Sequence, residues 1–327
     1  MAVRNLIDGV RAAMQEEMAR DERVVLLGED VGKRGGVFRA SEGLIDLYGE
    51  QRVIDAPLGE SGIVGVAIGM ALNGLVPIAE IQFADFIHPA FNQIVSEAAK
   101  IRYRSNNAFH VPLVIRAPFG GGVHGGLYHS QSVEAFFMHV PGLKVVIPST
   151  PADAKGLLKS AIRDEDPVVF FEHKRSYRLI RGEVPEGDHT VPIGKARLVR
   201  EGKDVSIFAY GLMAFYAEQA AETLAQEGIS ADVIDLRTLV PLDREAILAS
   251  VARTHRALIV HEANYTMGAG AEVAATIAEG ALFELDAPIR RLTGPDIPAM
   301  PFNTPQEERF MPNPEKIAQA ARELCAL

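Results

Sequence analysis

Short apolar runs alternate with longer helical patterns along the first half of the chain. Val24–Leu27, Val53–Ala56 and Val76–Ile81 have strand length, and Leu113–Ile115, Val145–Ile147 and Val168–Phe171 are β-branched or aromatic runs of the same kind. Between them, Ser41–Tyr48 and Ser61–Asn73 read as helices. Pro89–Arg104 carries Phe91, Ile94, Val95, Ala98 and Ile101 at three- and four-residue spacing, which predicts one continuous helix. The segment "STPAD" caps a helix over Ala152–Ile162. From about Arg178 to Gly202 the rhythm breaks into a polar, Gly- and Pro-rich connector. A second series follows: strands at Val205–Tyr210, Ala231–Leu236 and Ala257–Glu262, and helices at Ala214–Gln226, Asp243–Ala252 and Ala271–Leu285. Thr293–Pro314 is dense in proline and predicts a surface wrap. Strand–helix alternation implies an α/β fold with two domains, each a mostly parallel sheet flanked by helices. We place them at 1–186 and 187–327.

Composition narrows the function classes. The chain has 327 residues, 48% of them hydrophobic, enough for about two domains. No apolar run approaches the roughly 20 residues of a membrane span. The first 25 residues carry acids throughout and lack an uninterrupted apolar stretch, so they read as neither a signal peptide nor an Arg/Ser-rich transit peptide. One cysteine, Cys325, leaves no internal disulfide framework. These features predict a cytoplasmic protein. With 33 basic and 43 acidic residues the net charge is −10, and no basic stripe points to nucleic acid. The surplus acid suits a basic protein partner, and solubility explains it equally well.

Several segments carry candidate chemistry. Glu60 follows the strand Val53–Ala56 and precedes a helix, so it lies at the carboxyl edge of a sheet, where ligands of open α/β folds gather. It reads either as an acid complementing a helix dipole or as a catalytic group aimed at a ligand. The glycines at 62, 65 and 69 permit close approach, but their spacing is not that of a dinucleotide fingerprint. Phe119–Ser132, "FGGGVHGGLYHSQS", is a glycine-rich loop with His124 and His129, and no Gly-Lys-Ser/Thr follows it. It reads either as a surface loop or as a mobile loop that brings an imidazole to a substrate. Metal binding by the two histidines is the weaker reading, because no third ligand stands at suitable spacing. In "IAEIQFADFIHP" the polar Glu80, Gln82 and Asp85 interleave with Phe83 and Phe86, as core or as a ring-binding slot. His261–Glu262 ends a strand and reads as a hydrogen-bonded pair at a sheet edge or subunit contact. Lys100, Arg102 and Arg104 complement a helix end.

Taken together, "LGEDVGKRGGVF", "EIQFADFIHPAFNQIVSEAAKIRYRS", "GGLYHSQSVEAFFMHVPGLKVVIPSTPADAKGLLKSAIRDEDPVVFFE" and "VIDLRTLVPLD" resemble the β subunit of the decarboxylating component of 2-oxo acid dehydrogenase complexes, over the whole chain. The branched-chain and bacterial members are the most similar. The resemblance implies a transketolase-like pyrimidine-binding domain followed by a transketolase C-terminal-like domain. It implies an α2β2 heterotetramer with thiamine diphosphate bound between α and β. The family's "P-L-x-E" glutamate bonds the thiamine pyrimidine and drives formation of the cofactor's carbanion. It falls on Pro57-Leu58-Gly59-Glu60, with Glu60 desolvated and its proton affinity raised. Leu58 and Gln82 match cofactor-lining positions. His129 matches the active-site histidine that places the substrate carboxylate or donates a proton during acyl transfer to lipoate. Phe86 stands where branched-chain members often have Tyr, and Gly59 where Ser, Thr or Cys is usual. Some members hold potassium through backbone carbonyls, which would match Leu113, Ala161, Asp164 and Asp166. No Gly-Asp-Gly metal motif is present, so the α chain is expected to supply Mg²⁺ and the diphosphate contacts.

The resemblance therefore implies oxidative decarboxylation of a 2-oxo acid and acyl transfer to the lipoyl group of an acyltransferase second component. "LYHSQSVEAFF" favours a branched-chain substrate such as 3-methyl-2-oxobutanoate, with pyruvate and acetoin as alternatives. A self-sufficient oxidoreductase with a nucleotide cofactor, and a noncatalytic scaffold docking a basic domain, are the other readings. The first lacks a nucleotide motif. The second leaves the "GGLYHSQS" loop unexplained.

Overall fold

The computed structural model describes residues 2–327. They group into two compact units: 2–119 with 136–193, and 120–135 with 194–327. The glycine-rich loop thus belongs with the carboxyl-terminal unit, although it leaves a strand of the first.

In the first unit, parallel strands lie in the order Lys144–Val146, Val168–His173, Val114–Phe119, Val76–Glu80, Val24–Gly28 and Val53–Asp55. They are buried almost throughout, as expected when helices cover both faces. The helix Leu6–Arg20 begins at Asn5, whose side chain accepts the Asp8 N–H at 2.9 Å. It packs against the helix Pro151–Ile162, which Thr150 caps. Leu6, Val10, Met14, Leu157 and Phe170 join one buried cluster there. The approach is close at Gly9, where a Cβ would collide with the Pro151 carbonyl.

Three expectations from the pattern need correction. Residues 89–104 do not form one helix. They fold as a 3₁₀ turn at His88–Ala90, a π-helical segment Gln93–Ala98 and a single α-turn Ile101–Arg104. The apolar spacing survives, because Ile94, Ala98 and Ile101 are all buried, but the hydrogen-bond ladder changes its step. The connector holds two strands, Arg181–Val184, which pairs antiparallel with Ala2–Asn5, and Arg197–Arg200. The proline-dense tail begins on the last two residues of a strand, Arg290–Gly294, and holds a helix, Thr304–Phe310.

In the second unit the strand order is Arg290–Gly294, Ala257–Asn264, Val205–Ala209, Ala231–Asp235 and Arg197–Arg200. Only the last is antiparallel. Helices Leu212–Gln226, Arg244–Thr254, Ala269–Ala281 and Pro314–Cys325 accompany it.

Candidate active site

The carboxyl edge of the first sheet gathers the predicted cofactor residues. Val53–Asp55 ends beside Val24–Gly28, and Glu60 opens the helix Glu60–Leu72 that follows. Leu58, between strand and helix, is 83% exposed, a large apolar side chain held in solvent. Glu60 is half-buried. Next to it stands Glu29, the residue after the strand Val24–Gly28. Burial raises the Glu29 carboxyl above its ordinary range, and the Glu60 charge raises it further, while the Gly59 amide pulls it down. Two carboxylates thus share one sheet edge. Asp55 orders the adjoining loop by accepting the Gly32 N–H at 2.6 Å.

Gln82 follows the strand Val76–Glu80 and opens onto a cavity of about 550 Å³ whose rim carries Lys33, Arg34 and Arg39. Phe86 meets Phe83 edge-on at 5.8 Å, and Phe83 meets Phe38 at 5.6 Å, so the aromatic residues form a packed row. Beneath it, Arg116 is fully buried between two carboxylates. Its Nε and Nη2 donate to Glu172 at 2.6 and 2.7 Å, and its Nη1 to Glu80 at 2.6 Å. Burial opposes the Arg116 charge, but Glu172 and Glu80 outweigh it and hold the guanidinium protonated; burial pushes the Glu80 carboxyl up.

His129 belongs to the loop that groups with the carboxyl-terminal unit. It is half-buried and follows a 3₁₀ turn, Gly126–Tyr128. The Gly120 N–H donates to the Gln131 carbonyl at 3.0 Å, which closes the loop on itself. In letters, Gly120 to Gly125 does satisfy G-x-G-x-x-G directly after a strand. Only the 3₁₀ turn follows at once and no α-helix, so the run lacks the helix N-terminus on which a dinucleotide fingerprint depends. Within the same unit Glu134 accepts the Tyr210 hydroxyl at 2.6 Å, and Tyr210 stacks on His261 at 6.3 Å. Burial pushes the Glu134 carboxyl up to about 7, with Glu262 adding to the effect, and burial followed by Arg291 lowers His261 to about 4.

At the suggested potassium positions, the Leu113 carbonyl accepts the Val168 N–H at 2.9 Å and the Ala161 carbonyl accepts the Asp164 N–H at 3.3 Å. The Asp164 side chain binds Lys144 at 2.6 Å. Among the described residues no group of three or more His, Cys, Asp or Glu is arranged to hold a metal.

Two residues of this geometry escaped sequence reasoning. Glu29 was legible as an acid at a strand's carboxyl end. Glu307, which contacts the glycine loop, stands about 180 residues away within a proline-dense segment and gave no signal.

Two family models match the chain. Residues 4–180 match the transketolase pyrimidine binding domain and residues 194–317 the transketolase C-terminal domain. The chain is 61% identical over 325 residues, 99% of each chain, to the 2-oxoisovalerate dehydrogenase subunit beta of Bacillus subtilis (strain 168). This chain belongs to the family of 2-oxo acid dehydrogenase β subunits. It is also 51% identical to the mitochondrial 2-oxoisovalerate dehydrogenase subunit beta 2 of Arabidopsis thaliana, over 97% of this chain and 88% of that one. It is 48% identical to the pyruvate dehydrogenase E1 component subunit beta of Bacillus subtilis, over 99% of each. A solved structure titled a split gene transketolase, inactive beta4 tetramer, superposes with a TM-score of 0.81 at 24% identity, over 99% of this chain and 98% of that one. That likeness speaks for the fold. The β subunits of this family are oxidoreductase components, depend on thiamine diphosphate and work with an α subunit. No helix of this β subunit, among the described residues, is long and apolar enough to cross a membrane.

Proposed function

We propose that this chain is the β half of a branched-chain 2-oxo acid dehydrogenase. The observation that carries the substrate class is the difference between two relatives from one organism: 61% identity to the 2-oxoisovalerate subunit against 48% to the pyruvate subunit. Thiamine diphosphate, when bound, supplies the carbanion that adds to the 2-oxo carbonyl. The residues present fit one half of that group. Leu58 offers an exposed apolar side chain to a ring, and the neighbouring Glu60 offers a carboxylate to a ring nitrogen. Glu60 holds a proton at that nitrogen. Glu29 places a second carboxyl beside it, raised above its ordinary range by burial and by the Glu60 charge.

Gln82 and Phe86 line the cofactor side of this edge. His129 positions the substrate carboxylate or moves a proton during acyl transfer. The chain has no Gly-Asp-Gly metal motif, so Mg²⁺ and its ligands come from the α subunit in an α2β2 assembly. The lipoyl-bearing acyltransferase receives the acyl group and docks on residues 187–327, all in the cytoplasm. The carbonyls of Leu113, Ala161, Asp164 and Asp166 would hold potassium; those of Leu113 and Ala161 already accept hydrogen bonds, and each carbonyl carries two lone pairs.

The test is co-purification with the α chain and assay of 2-oxo acid decarboxylation with and without thiamine diphosphate and Mg²⁺. Cofactor-dependent turnover with a higher kcat/KM for 3-methyl-2-oxobutanoate than for pyruvate is expected. A preference for pyruvate or acetoin overturns the substrate class, and a β chain that elutes alone and turns over by itself overturns the half-site.

A further inference from the structure

The loop that carries His129 is seated on buried carboxylates contributed by the far end of the chain. Glu307, in the helix Thr304–Phe310, is 2% exposed. Its Oε1 accepts the Gly122 N–H at 2.9 Å and the His124 N–H at 3.3 Å, and its Oε2 lies 2.6 Å from His124 Nδ1. Glu262 does the same one step earlier, accepting the Gly121 N–H at 2.5 Å and the Ser132 hydroxyl at 3.2 Å. The bed is close-fitting: a Cβ at Gly121 would collide with Met300. His124 sits at φ 56°, in the left-handed region that residues other than glycine rarely occupy. A loop with glycines at 120, 121, 122, 125 and 126 has high conformational entropy when free. Three contacts from one desolvated carboxylate restrict that freedom just before His129.

We propose that Glu307 is a positioning residue for the His129 loop: it fixes the backbone at Gly122 and His124 so that His129 is presented in one orientation. His124 serves as the side-chain contact of that clamp and not as a proton carrier in turnover. The inference rests on the reading of His129 as a catalytic group, and it deepens that reading by naming what orients it.

The test uses the assembled α–β enzyme. Glu307→Ala removes all three contacts, while Glu307→Gln keeps an oxygen able to accept both N–H groups. Hydrogen exchange at the Gly122 and His124 amides is expected to speed up on the order of tenfold or more in Glu307→Ala, with Glu307→Gln close to wild type. Turnover in Glu307→Ala is expected to fall on the order of tenfold to a hundredfold through kcat, because misplacing a catalytic group acts on the transition state. The deciding measurement is the double variant. If Glu307 acts through His129, Glu307→Ala has little further effect in a His129→Ala background. Multiplicative losses, or unchanged exchange at the two amides, overturn the proposal. Should Glu307→Ala fail to assemble, a Glu307→Gln enzyme whose exchange at the two amides departs from wild type by roughly tenfold or more overturns it as well. If the wild-type assembly turns over no 2-oxo acid, the functional reading fails by itself. The exchange rates at Gly122 and His124 still decide the clamp.

Discussion

Glu60 is the residue on which the proposed chemistry turns. Replacing it by Gln keeps the shape and removes the proton-exchanging carboxyl. Glu60→Gln is expected to lower decarboxylation by roughly 10²- to 10⁴-fold, the range of a lost general acid–base group, and to leave α association unchanged. Steady-state kinetics beside analytical size exclusion checks this, and near-normal turnover would remove Glu60 from its role. Glu134 gives a second residue-scale expectation. Burial raises its carboxyl to about 7 from an ordinary 4.5. Between those pH values the unfolded state holds fewer protons than the folded one. Its contribution to stability is therefore complete below pH 4.5 and is lost as pH rises through 7, by about 3 kcal/mol for a shift of this size. His261, lowered to about 4 from 6.5, acts oppositely: its contribution is present above 6.5 and lost as pH falls through 4. Glu134→Gln cancels one slope, so its stability relative to wild type should rise from pH 5 to pH 8 in urea denaturation. A pH-independent difference would mean that Glu134 is ionised when folded.

Helices respond to their glycines in opposite ways. Gly9 faces the Pro151 carbonyl, so Gly9→Ala forces the helix Leu6–Arg20 away from Pro151–Ile162 and should destabilise the chain by roughly 1–3 kcal/mol. In the helix Glu60–Leu72 a Cβ at Gly69 meets nothing within 4 Å. Gly69→Ala should stabilise the isolated chain by roughly 0.5–1 kcal/mol, the difference in helix propensity. Thermal midpoints of the two variants should move in opposite directions, and a common direction would contradict the packing described. Both helices were legible to different degrees. Ser61–Asn73 announced itself as an apolar run after a strand. Leu6–Arg20 had Asn5 as a cap and Leu6, Val10 and Met14 at helical spacing, a signal present but read only against the pattern of a leader. The π-helical segment Gln93–Ala98 could not be foreseen, since apolar spacing reports which side chains are buried and not which carbonyl each amide selects.

For the molecule as a whole, the proposed half-site has a direct consequence. The isolated chain should show no saturable heat on titration with thiamine diphosphate and Mg²⁺, and the α–β assembly should bind both. Saturable binding by the chain alone would contradict the division of the site. The α/β architecture, the mostly parallel sense of its sheets and Glu60 at a carboxyl edge follow from what the sequence by itself determines, because they rest on local periodicity and on short motifs such as Pro57-Leu58-Gly59-Glu60. Only the tertiary structure decided that the loop 120–135 belongs with the carboxyl-terminal unit, that Glu29 stands beside Glu60, and that Glu307 holds the amides of Gly122 and His124. Those are pairings between distant residues. A carboxylate carries no mark in the sequence of the amide it will meet, since that choice is made by the packing that desolvates both.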